Sequence, residues 1–126
     1  MNVDVSTERR TQVIDITDRI EAELPADADG TATVFVRHTT AGVTVNEPES
    51  RLLEDFESFH GEVVADEGWK HDRIDDNADS HLRAALVGPS VTVPIEDGEL
   101  DLGTWQAVLF VECDGPRTRT VTVEVS

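Results

Sequence analysis

The sequence predicts an α+β fold with mostly antiparallel, β-sandwich-like sheets and two or three short helices. Three observations support this prediction. Apolar and polar residues alternate in many short segments, apolar residues recur at helical spacing in only a few others, and turn residues separate the segments. We find no long linker, internal repeat or low-complexity run in the 126 residues, so residues 1–126 are expected to form one domain with one core.

The first elements are short. Alternating valines and isoleucines over residues 3–5 and 14–16 predict two strands joined by a polar turn, or one bent strand. Thr17 is expected to cap a short helix, and Pro25 to end that helix, because proline lacks the amide hydrogen that the helix needs.

The middle of the chain combines two strands with the longest helix. Alternation over residues 32–37 predicts a strand that delivers His38 at its end. Gly42 is expected to break the chain before an extended segment that reaches Glu47. Apolar residues at helical spacing then predict an amphipathic helix over residues 50–65.

The last third of the chain begins with a helix of about two turns that follows an acidic loop. Leu82, Ala85 and Leu86 are expected to face inward from it, and Gly88 to stop it. Three strands then follow, over residues 91–95, 104–113 and 119–125. The second is continuously apolar, as expected of a strand covered on both faces.

The net charge of −17 is large for this length, and the acidic residues are spread through the whole chain. Lys70 is the only lysine. This pattern favours adaptation to high salt, where screening removes most repulsion between exposed charges, and it argues against a nucleic-acid partner, which needs a basic surface. A single cysteine, Cys113, fits a reducing cytoplasm, and no apolar run is long enough for a membrane span.

Histidines and carboxylates mark the candidate site. The segment 71–86 carries two of the four histidines and four aspartates ahead of an apolar helical pattern, which suits a metal or phosphate-ester site. His38, His71 and His81 are candidate ligands of a divalent metal such as zinc, although their spacing matches no local metal motif. Alternatively, His38 is a hydrogen-bonded strand-end residue and His81 belongs to a capping region. The same histidines could also bind phosphate or act as general acid and base.

Other polar residues are candidates for binding a substrate. Arg117 and Arg119 need anionic partners, either internal carboxylates or a substrate phosphate. Trp105 is either a core residue or a flat surface for a ring-bearing ligand, which Gln106 could orient through its amide. Glu47 and Glu112, at the end of a strand or within one, are candidate bases or ligands, although most such glutamates are solvated.

The order of these motifs resembles the YjbQ family, a group of small proteins described as secondary thiamine-phosphate synthases. The similarity extends over nearly the whole chain. It is carried by five motifs: His38-Thr-Thr-Ala-Gly-Val-Thr-Val-Asn46-Glu47, His71-Asp72, Asp76-Asn77 with Ser80-His81-Leu82, Gly103-Thr-Trp-Gln106, and Asp114-Gly-Pro-Arg117.

The resemblance implies a homotrimer with pockets near the subunit interfaces and a secondary activity that joins a pyrimidine diphosphate to a thiazole phosphate. It also implies the site residues. The catalytic candidates are His81, Glu47 and Asp76; the candidates for binding a phosphorylated substrate are Asn77, Trp105, Gln106 and Arg119; the candidate metal ligands are His38, His71 and His81. The strongly acidic surface departs from typical relatives.

Two other functions remain open. One is a non-enzymatic trimeric module that binds a ligand or has a structural role. The other is a metal-dependent phosphate-ester hydrolase that uses the same polar residues.

Overall fold

The computed structural model describes all residues from Met1 to Ser126. It contains eight strands, three α-helices and one 3₁₀ turn. In chain order these are β1 Asn2–Ser6, β2 Gln12–Asp15, α1 Thr17–Glu21, β3 Gly30–Val36, β4 Ala41–Asn46, α2 Ser50–Val63, the 3₁₀ turn Lys70–Arg73, α3 Ala78–Val87, β5 Ser90–Glu96, β6 Glu99–Leu100, β7 Ala107–Glu112 and β8 Thr118–Val125.

The strands form two sheets, and all pairings are antiparallel, which confirms the predicted α+β class. One sheet has five strands in the order β1-β8-β3-β5-β6, and the other has three in the order β2-β7-β4. The main core lies between the sheets, where the inward valines of β1, β3 and β8 meet Val43, Val108 and Phe110. Helices α2 and α3 cover the outer face of the three-stranded sheet through a second, smaller apolar cluster.

Strand β7 is the central strand of the smaller sheet, and every one of its residues is buried. The predicted strand covered on both faces is therefore confirmed. Its start is later than the sequence predicted, because Thr104 and Trp105 form a turn before Ala107.

Gly42 does not break the chain as predicted; it lies inside β4. A Cβ at this position would lie 2.7 Å from the carbonyl oxygen of Gly88, so glycine is needed for the close approach of β4 to the end of α3.

The cap of α1 also differs from the prediction. Asp15 Oδ1 accepts a hydrogen bond from the Thr17 amide, while the Thr17 hydroxyl accepts one from the Val108 amide. Thr17 therefore joins the helix to β7 instead of capping it, and Asp15, the last residue of β2, supplies the acceptor.

The apolar sides of the two longer helices are less covered than the sequence predicts. Helix α2 has no buried residue, although Leu53 and Phe56 contact the smaller cluster. In α3 the buried residues include Arg83 and Ala84, whereas Leu82, Ala85 and Leu86 are exposed. The prediction that these three side chains face inward is wrong for the single chain, because the polar side of α3 is anchored to the body of the protein.

Candidate functional site

A buried ion pair lies at the point where β7 ends and β8 begins. Arg119 donates to both carboxylate oxygens of Glu112, and its guanidinium also donates to the hydroxyl of Thr40 at 2.9 Å. The Thr7 hydroxyl donates to the same carboxylate at 2.8 Å. Both charged side chains are almost completely buried, so Arg119 has no free donor surface to offer a substrate.

The environment of Glu112 holds it ionised. Burial removes water and on its own opposes ionisation, and this is the largest single effect. Hydrogen bonds from Arg119, from the Asp114 amide and from Thr7 together outweigh it, so the pKa of Glu112 is below its ordinary value. The pair is therefore a fixed internal charge pair around which the loop after β7 is built.

Next to the ion pair, His38 is held at the end of β3. Its Nε2 accepts a hydrogen bond of 3.0 Å from the Thr120 amide, so Nδ1 carries the proton of the neutral ring. Burial and the nearby Arg119 charge lower the pKa of His38, which keeps the ring neutral. In this state His38 presents a donor, and neither ring nitrogen has a free lone pair for a metal ion.

The largest cavity, of about 750 Å³, lies beside this region, and we call it the arginine cavity. Asn77, at the start of α3, and Arg117, before β8, both donate to Asp114 Oδ2, at 3.0 and 3.1 Å. The Asn77 Oδ1 atom is buried and has no hydrogen-bond partner. The residues that line the arginine cavity are all polar: Arg10, Asp66, Glu67, Asp75, Asp76, Asn77, Asp114 and Arg117.

A hydrogen-bond network below this cavity positions α3. Asp79 is fully buried and binds both Arg83, at 2.6 Å, and Arg10, at 2.9 Å. Arg83 also donates to the carbonyl oxygens of His60 and Val64, which lie at the carboxyl end of α2. These contacts fix the amino end of α3, and with it Asn77, relative to the rest of the cavity wall.

His71 and His81 are brought together by the 3₁₀ turn and α3. Their ring centroids lie 4.8 Å apart in an edge-on arrangement. His71 Nε2 is buried without a hydrogen-bond partner, and its nearest carboxylate oxygen, Oδ2 of Asp75, is 3.6 Å away. Asp72 accepts from the Ala78 amide at 3.1 Å and so supplies a backbone contact at the start of α3.

A second cavity, of about 380 Å³, holds the remaining candidates, and we call it the tryptophan cavity. Glu47 follows β4, and Trp105 and Gln106 form the turn before β7. The Trp105 side chain is 73% exposed, so it is not a core residue. Gln106 accepts from the Gly103 amide at 2.8 Å, which closes the turn that presents the indole ring.

The structure therefore distributes the predicted residues over four places instead of one, and the first of them is the buried ion pair with Arg119 and the adjacent His38. Asp76 and Asn77 line the arginine cavity, Glu47, Trp105 and Gln106 line the tryptophan cavity, and His71 contacts His81. No group of three or more His, Cys, Asp or Glu side chains in the chain is arranged to hold a metal ion.

Sequence reasoning missed Arg10 as a cavity residue. It lies in the polar turn before β2, where it carries no local motif, and only its ion pair with buried Asp79 shows its place. Cys113 offers no alternative nucleophile, because burial raises the pKa of its thiol to about 12.

Known proteins are similar to this chain over its whole length. A family model described as "UPF0047 protein YjbQ-like" matches residues 1–126. A UPF0047 protein of Archaeoglobus fulgidus is 49% identical over 98% of both chains. The UPF0047 protein YugU of Bacillus subtilis is 37% identical over 96% of this chain and 94% of its own length.

Solved structures have the same fold. A hypothetical protein from Aeropyrum pernix K1 has a TM-score of 0.95 at 46% identity, covering 100% of this chain and 96% of its own. A YbjQ-like protein of unknown function from Sulfolobus solfataricus P2 has a TM-score of 0.91 at 39% identity, covering 99% and 94%. None of the helices here has the length and hydrophobicity needed to cross a membrane.

Proposed function

This chain belongs to the UPF0047 YjbQ-like family, and from that premise we propose that it is a transferase of the thiamine-phosphate-synthase type, as a secondary activity. The substrates would be a pyrimidine diphosphate and a thiazole phosphate. The observations that support the proposal are the arginines of one cavity and the exposed indole ring of the other. The two cavities lie at opposite ends of β7, so they would serve one reaction only where neighbouring copies of the proposed homotrimer bring them together.

The arginine cavity suits the diphosphate. Departure of a diphosphate develops negative charge that fixed donors can stabilise. Arg10 and Arg117 line the cavity and are about half exposed, so both retain donors for a ligand. Asn77 and Asp76 line the same cavity. In this proposal Arg117 takes the role that the sequence suggested for Arg119, which is buried against Glu112.

The carboxylates of the same cavity outnumber its two arginines. A highly charged anion would therefore enter more favourably together with a cation. We propose a divalent ion, with zinc as the candidate. Its imidazole ligands would be His71, which lies 3.6 Å from the cavity residue Asp75, and the adjacent His81. When bound, such an ion would stabilise the charge that develops on the departing diphosphate.

His38 can be a third metal ligand only if the hydrogen bond from the Thr120 amide to its Nε2 is broken. One chain thus supplies an incomplete set of metal ligands. This agrees with the proposed assembly as a homotrimer, in which a neighbouring copy can complete a pocket near the interface.

The tryptophan cavity suits a heteroaromatic ring. The exposed face of Trp105 can stack on such a ring, and the Glu47 carboxylate in the same cavity can accept a hydrogen bond from a ring substituent. Gln106 holds the turn and so positions Trp105. His81, which contacts His71, remains the proposed general acid when its ring does not bind the metal ion.

The direct test is synthesis of thiamine phosphate from the two substrates by purified protein, at several salt concentrations. Arg117→Met and Trp105→Ala should each lower kcat/KM by tenfold or more, whereas Arg51→Met, at a side chain that is 88% exposed and lines neither cavity, should leave it unchanged. Formation of thiamine phosphate at equal rates in all four proteins would contradict the proposal.

The metal proposal has its own measurement. Elemental analysis of the purified protein should show bound metal that His81→Ala removes and that His60→Ala, in α2, retains. Unchanged metal content and unchanged turnover in His81→Ala would remove both roles of His81.

The carboxylate-rich arginine cavity also fits the second candidate, a metal-dependent phosphate-ester hydrolase. Release of inorganic phosphate from a panel of phosphate esters, without synthesis of thiamine phosphate, would favour it. A non-enzymatic module would show neither reaction but would still gain melting temperature from a bound phosphorylated ligand.

A further inference from the structure

Asp79 is a fully buried carboxylate that binds two arginines from different parts of the molecule. Its Oδ2 accepts a hydrogen bond from Arg83 at 2.6 Å, and its Oδ1 accepts one from Arg10 at 2.9 Å. Arg83 is itself almost completely buried, and its other partners lie at the carboxyl end of α2 and just after it. Arg10 instead lines the arginine cavity, and 47% of its side chain is exposed. One carboxylate thus joins an internal arginine to an arginine of the candidate site.

The main chain at Arg10 is fixed by the turn that follows β7. The Arg10 carbonyl accepts a hydrogen bond from the Gly115 amide at 2.9 Å. A Cβ at Gly115 would collide with the carbonyl oxygen of Arg9, so glycine permits this close approach. Arg117 lies in the same turn and lines the same cavity. The contact between the two turns therefore brings both arginines to one place.

Of these two arginines, Arg10 has more unused donors. Arg117 uses two guanidinium nitrogens on Asp114, since Nε donates to its carbonyl at 2.9 Å and Nη2 to its side chain at 3.1 Å. Arg10 uses only Nη2, which donates to Asp79 and, at 3.5 Å, to the Ser80 hydroxyl. Its Nε and Nη1 have no hydrogen-bond partner in the chain. Because a guanidinium is planar, the contact at Nη2 restricts the directions in which the other two nitrogens point.

The contact between Arg10 and Asp79 differs from an ordinary surface ion pair because the acceptor is buried. Without Arg10, the Oδ1 atom of Asp79 would have no hydrogen-bond partner inside the protein, which is costly for a charged group. The neighbouring Arg9 shows the contrast: it is 59% exposed, pairs with Glu57 at 3.0 Å and does not line the cavity. Exposed pairs of that kind contribute little, because water competes for both groups.

We infer that Asp79 is a positioning residue of the arginine cavity, which holds the Arg10 guanidinium so that its Nε and Nη1 are available to a phosphate or diphosphate group. The inference rests on the proposed function, in which this cavity binds the diphosphate, and it adds the residue that prepares the donor. Asp79 does not touch the ligand, because it is fully buried. A donor that is already held in place loses less conformational entropy when the ligand binds than a mobile arginine does.

Charge and position predict opposite effects of a substitution at Asp79. Asp79→Asn removes a negative charge close to the cavity, and this change alone would strengthen the binding of an anion. It also leaves Arg10 without its charged partner, so the guanidinium becomes mobile and binding should weaken. Asp66→Asn is the matched control, because Asp66 also pairs with Arg83, at 2.7 Å, and lines the same cavity but does not contact Arg10.

The test is a calorimetric titration with pyrophosphate at one fixed multimolar concentration of KCl. Arg10→Met should weaken binding by about tenfold, and Asp79→Asn by about threefold to tenfold, because charge-assisted hydrogen bonds to the ligand are lost or loosened. Asp66→Asn should bind pyrophosphate more tightly than the wild type. Arg9→Met, at the adjacent arginine outside the cavity, should bind within about twofold of the wild type.

A double-mutant cycle separates positioning from a general loss of structure. In the Arg10→Met background, Asp79→Asn should no longer weaken pyrophosphate binding, because the residue through which Asp79 acts is absent. Losses that simply add in the double variant would give Asp79 a structural role only and overturn the inference. Asp79→Asn that binds pyrophosphate as tightly as Asp66→Asn would do the same.

A second measurement needs no substitution at Asp79 and decides the question where Asp79→Asn does not fold. It is the NMR spectrum of the wild type with ¹⁵N-labelled arginine, in which the Arg10 signals are those that Arg10→Met removes. Before pyrophosphate is added, Arg10 should give separate Nη signals, because the contact with Asp79 stops rotation of its guanidinium, whereas those of Arg9 should be averaged. Pyrophosphate should then shift the Nε signal of Arg10. Averaged Nη signals of Arg10, or an Nε signal that does not move, would overturn the inference.

The outcomes also separate this inference from the proposed function. Additive losses in a protein that makes thiamine phosphate remove the role of Asp79 and leave the reaction standing. A cycle of the expected form in a protein that makes no thiamine phosphate supports the role of Asp79 and removes the reaction. A wild type that does not bind pyrophosphate overturns the inference, whether or not thiamine phosphate is formed.

Discussion

At the scale of single residues, Glu112 and Arg119 show how one ion pair holds several segments together. The pair joins the end of β7 to β8, and hydrogen bonds extend it to Thr7 and Thr40. Two buried charges are tolerated only because each has several partners; removing one partner would leave the other charge buried without compensation. The pair is therefore a structural requirement for the site, and it explains why Arg119 does not line a cavity.

The first prediction concerns this pair. Glu112→Gln should lower the free energy of unfolding by about 3–5 kcal/mol, because the Arg119 charge stays buried without its counterion. Glu124→Gln, at an exposed position of β8, the strand that carries Arg119, should change it by less than about 0.5 kcal/mol. Urea titration at neutral pH measures both, and equal effects of the two substitutions would argue against the role of the ion pair.

A second prediction concerns pH. The folded protein lowers the pKa of His38 and of His60 from 6.5, in each case through burial first. The unfolded chain therefore binds more protons than the folded one at pH values between the lowered pKa and 6.5. Stability should be highest above pH 6.5 and fall as the pH drops through the lowered values.

The variant His38→Gln with His60→Gln removes both titrating groups and should flatten this part of the profile. The measurement is the free energy of unfolding at several pH values between about 7.5 and about 5.5. A double variant that loses as much stability as the wild type over this range would show that other groups carry the dependence. Glu112 acts at lower pH, since its stabilising charge is lost only as the pH falls below 4.5.

At the scale of secondary-structure elements, the position of α3 decides the site. Its amino end is fixed by buried Asp79 and by Arg83, which reaches the carboxyl end of α2. Its carboxyl end approaches β4 so closely that only glycine fits at position 42. The helix therefore cannot rotate to bury Leu82 and Leu86 without breaking these contacts, and its apolar side stays exposed.

A third prediction uses two glycines as a matched pair. Gly42→Ala would place its Cβ within 3.0 Å of atoms of Gly88 and Val87, so we expect a loss of stability of about 1–3 kcal/mol. Gly61→Ala lies in α2, where a Cβ meets no atom within 4 Å, and should add about 0.5–1 kcal/mol because alanine favours the helix. Thermal and urea unfolding of both variants checks the opposite signs, and destabilisation by both would show that the close approach is not the cause.

At the scale of the whole molecule, the net charge of −17 lowers stability through repulsion summed over the whole surface and not through one contact. Seven ion pairs join arginines to carboxylates, and four of them involve the buried Asp79, Arg83 or Glu112. Most of the acidic residues have no basic partner, because the chain has 27 carboxylates and ten lysines and arginines. Their mutual repulsion must be screened for the compact state, and for any assembly of copies, to be stable.

The fourth prediction follows from this repulsion. The melting temperature should rise on going from low salt to multimolar KCl, and most of the rise should be complete where the Debye length falls to about 3 Å, near 1 M. Differential scanning calorimetry at a series of KCl concentrations measures it. The same melting temperature at low and at multimolar salt would contradict adaptation to high salt.

The sequence by itself determined the elements and the fold class, because alternation and helical spacing depend only on neighbouring residues. It also placed His38 at a strand end, since strand ends carry local signals. The motif order was enough to identify the family over the whole chain.

Only the tertiary structure decided which polar residues meet. His71 and His81 come together, His38 pairs with the Thr120 amide, and Arg119 turns inward to Glu112 while Arg117 reaches a cavity. It also decided that the apolar side of α3 faces out. The pattern of apolar and polar residues shows which side of a helix is apolar. The direction in which that side points is set by contacts between residues far apart in the chain, and the pattern contains no information about those contacts.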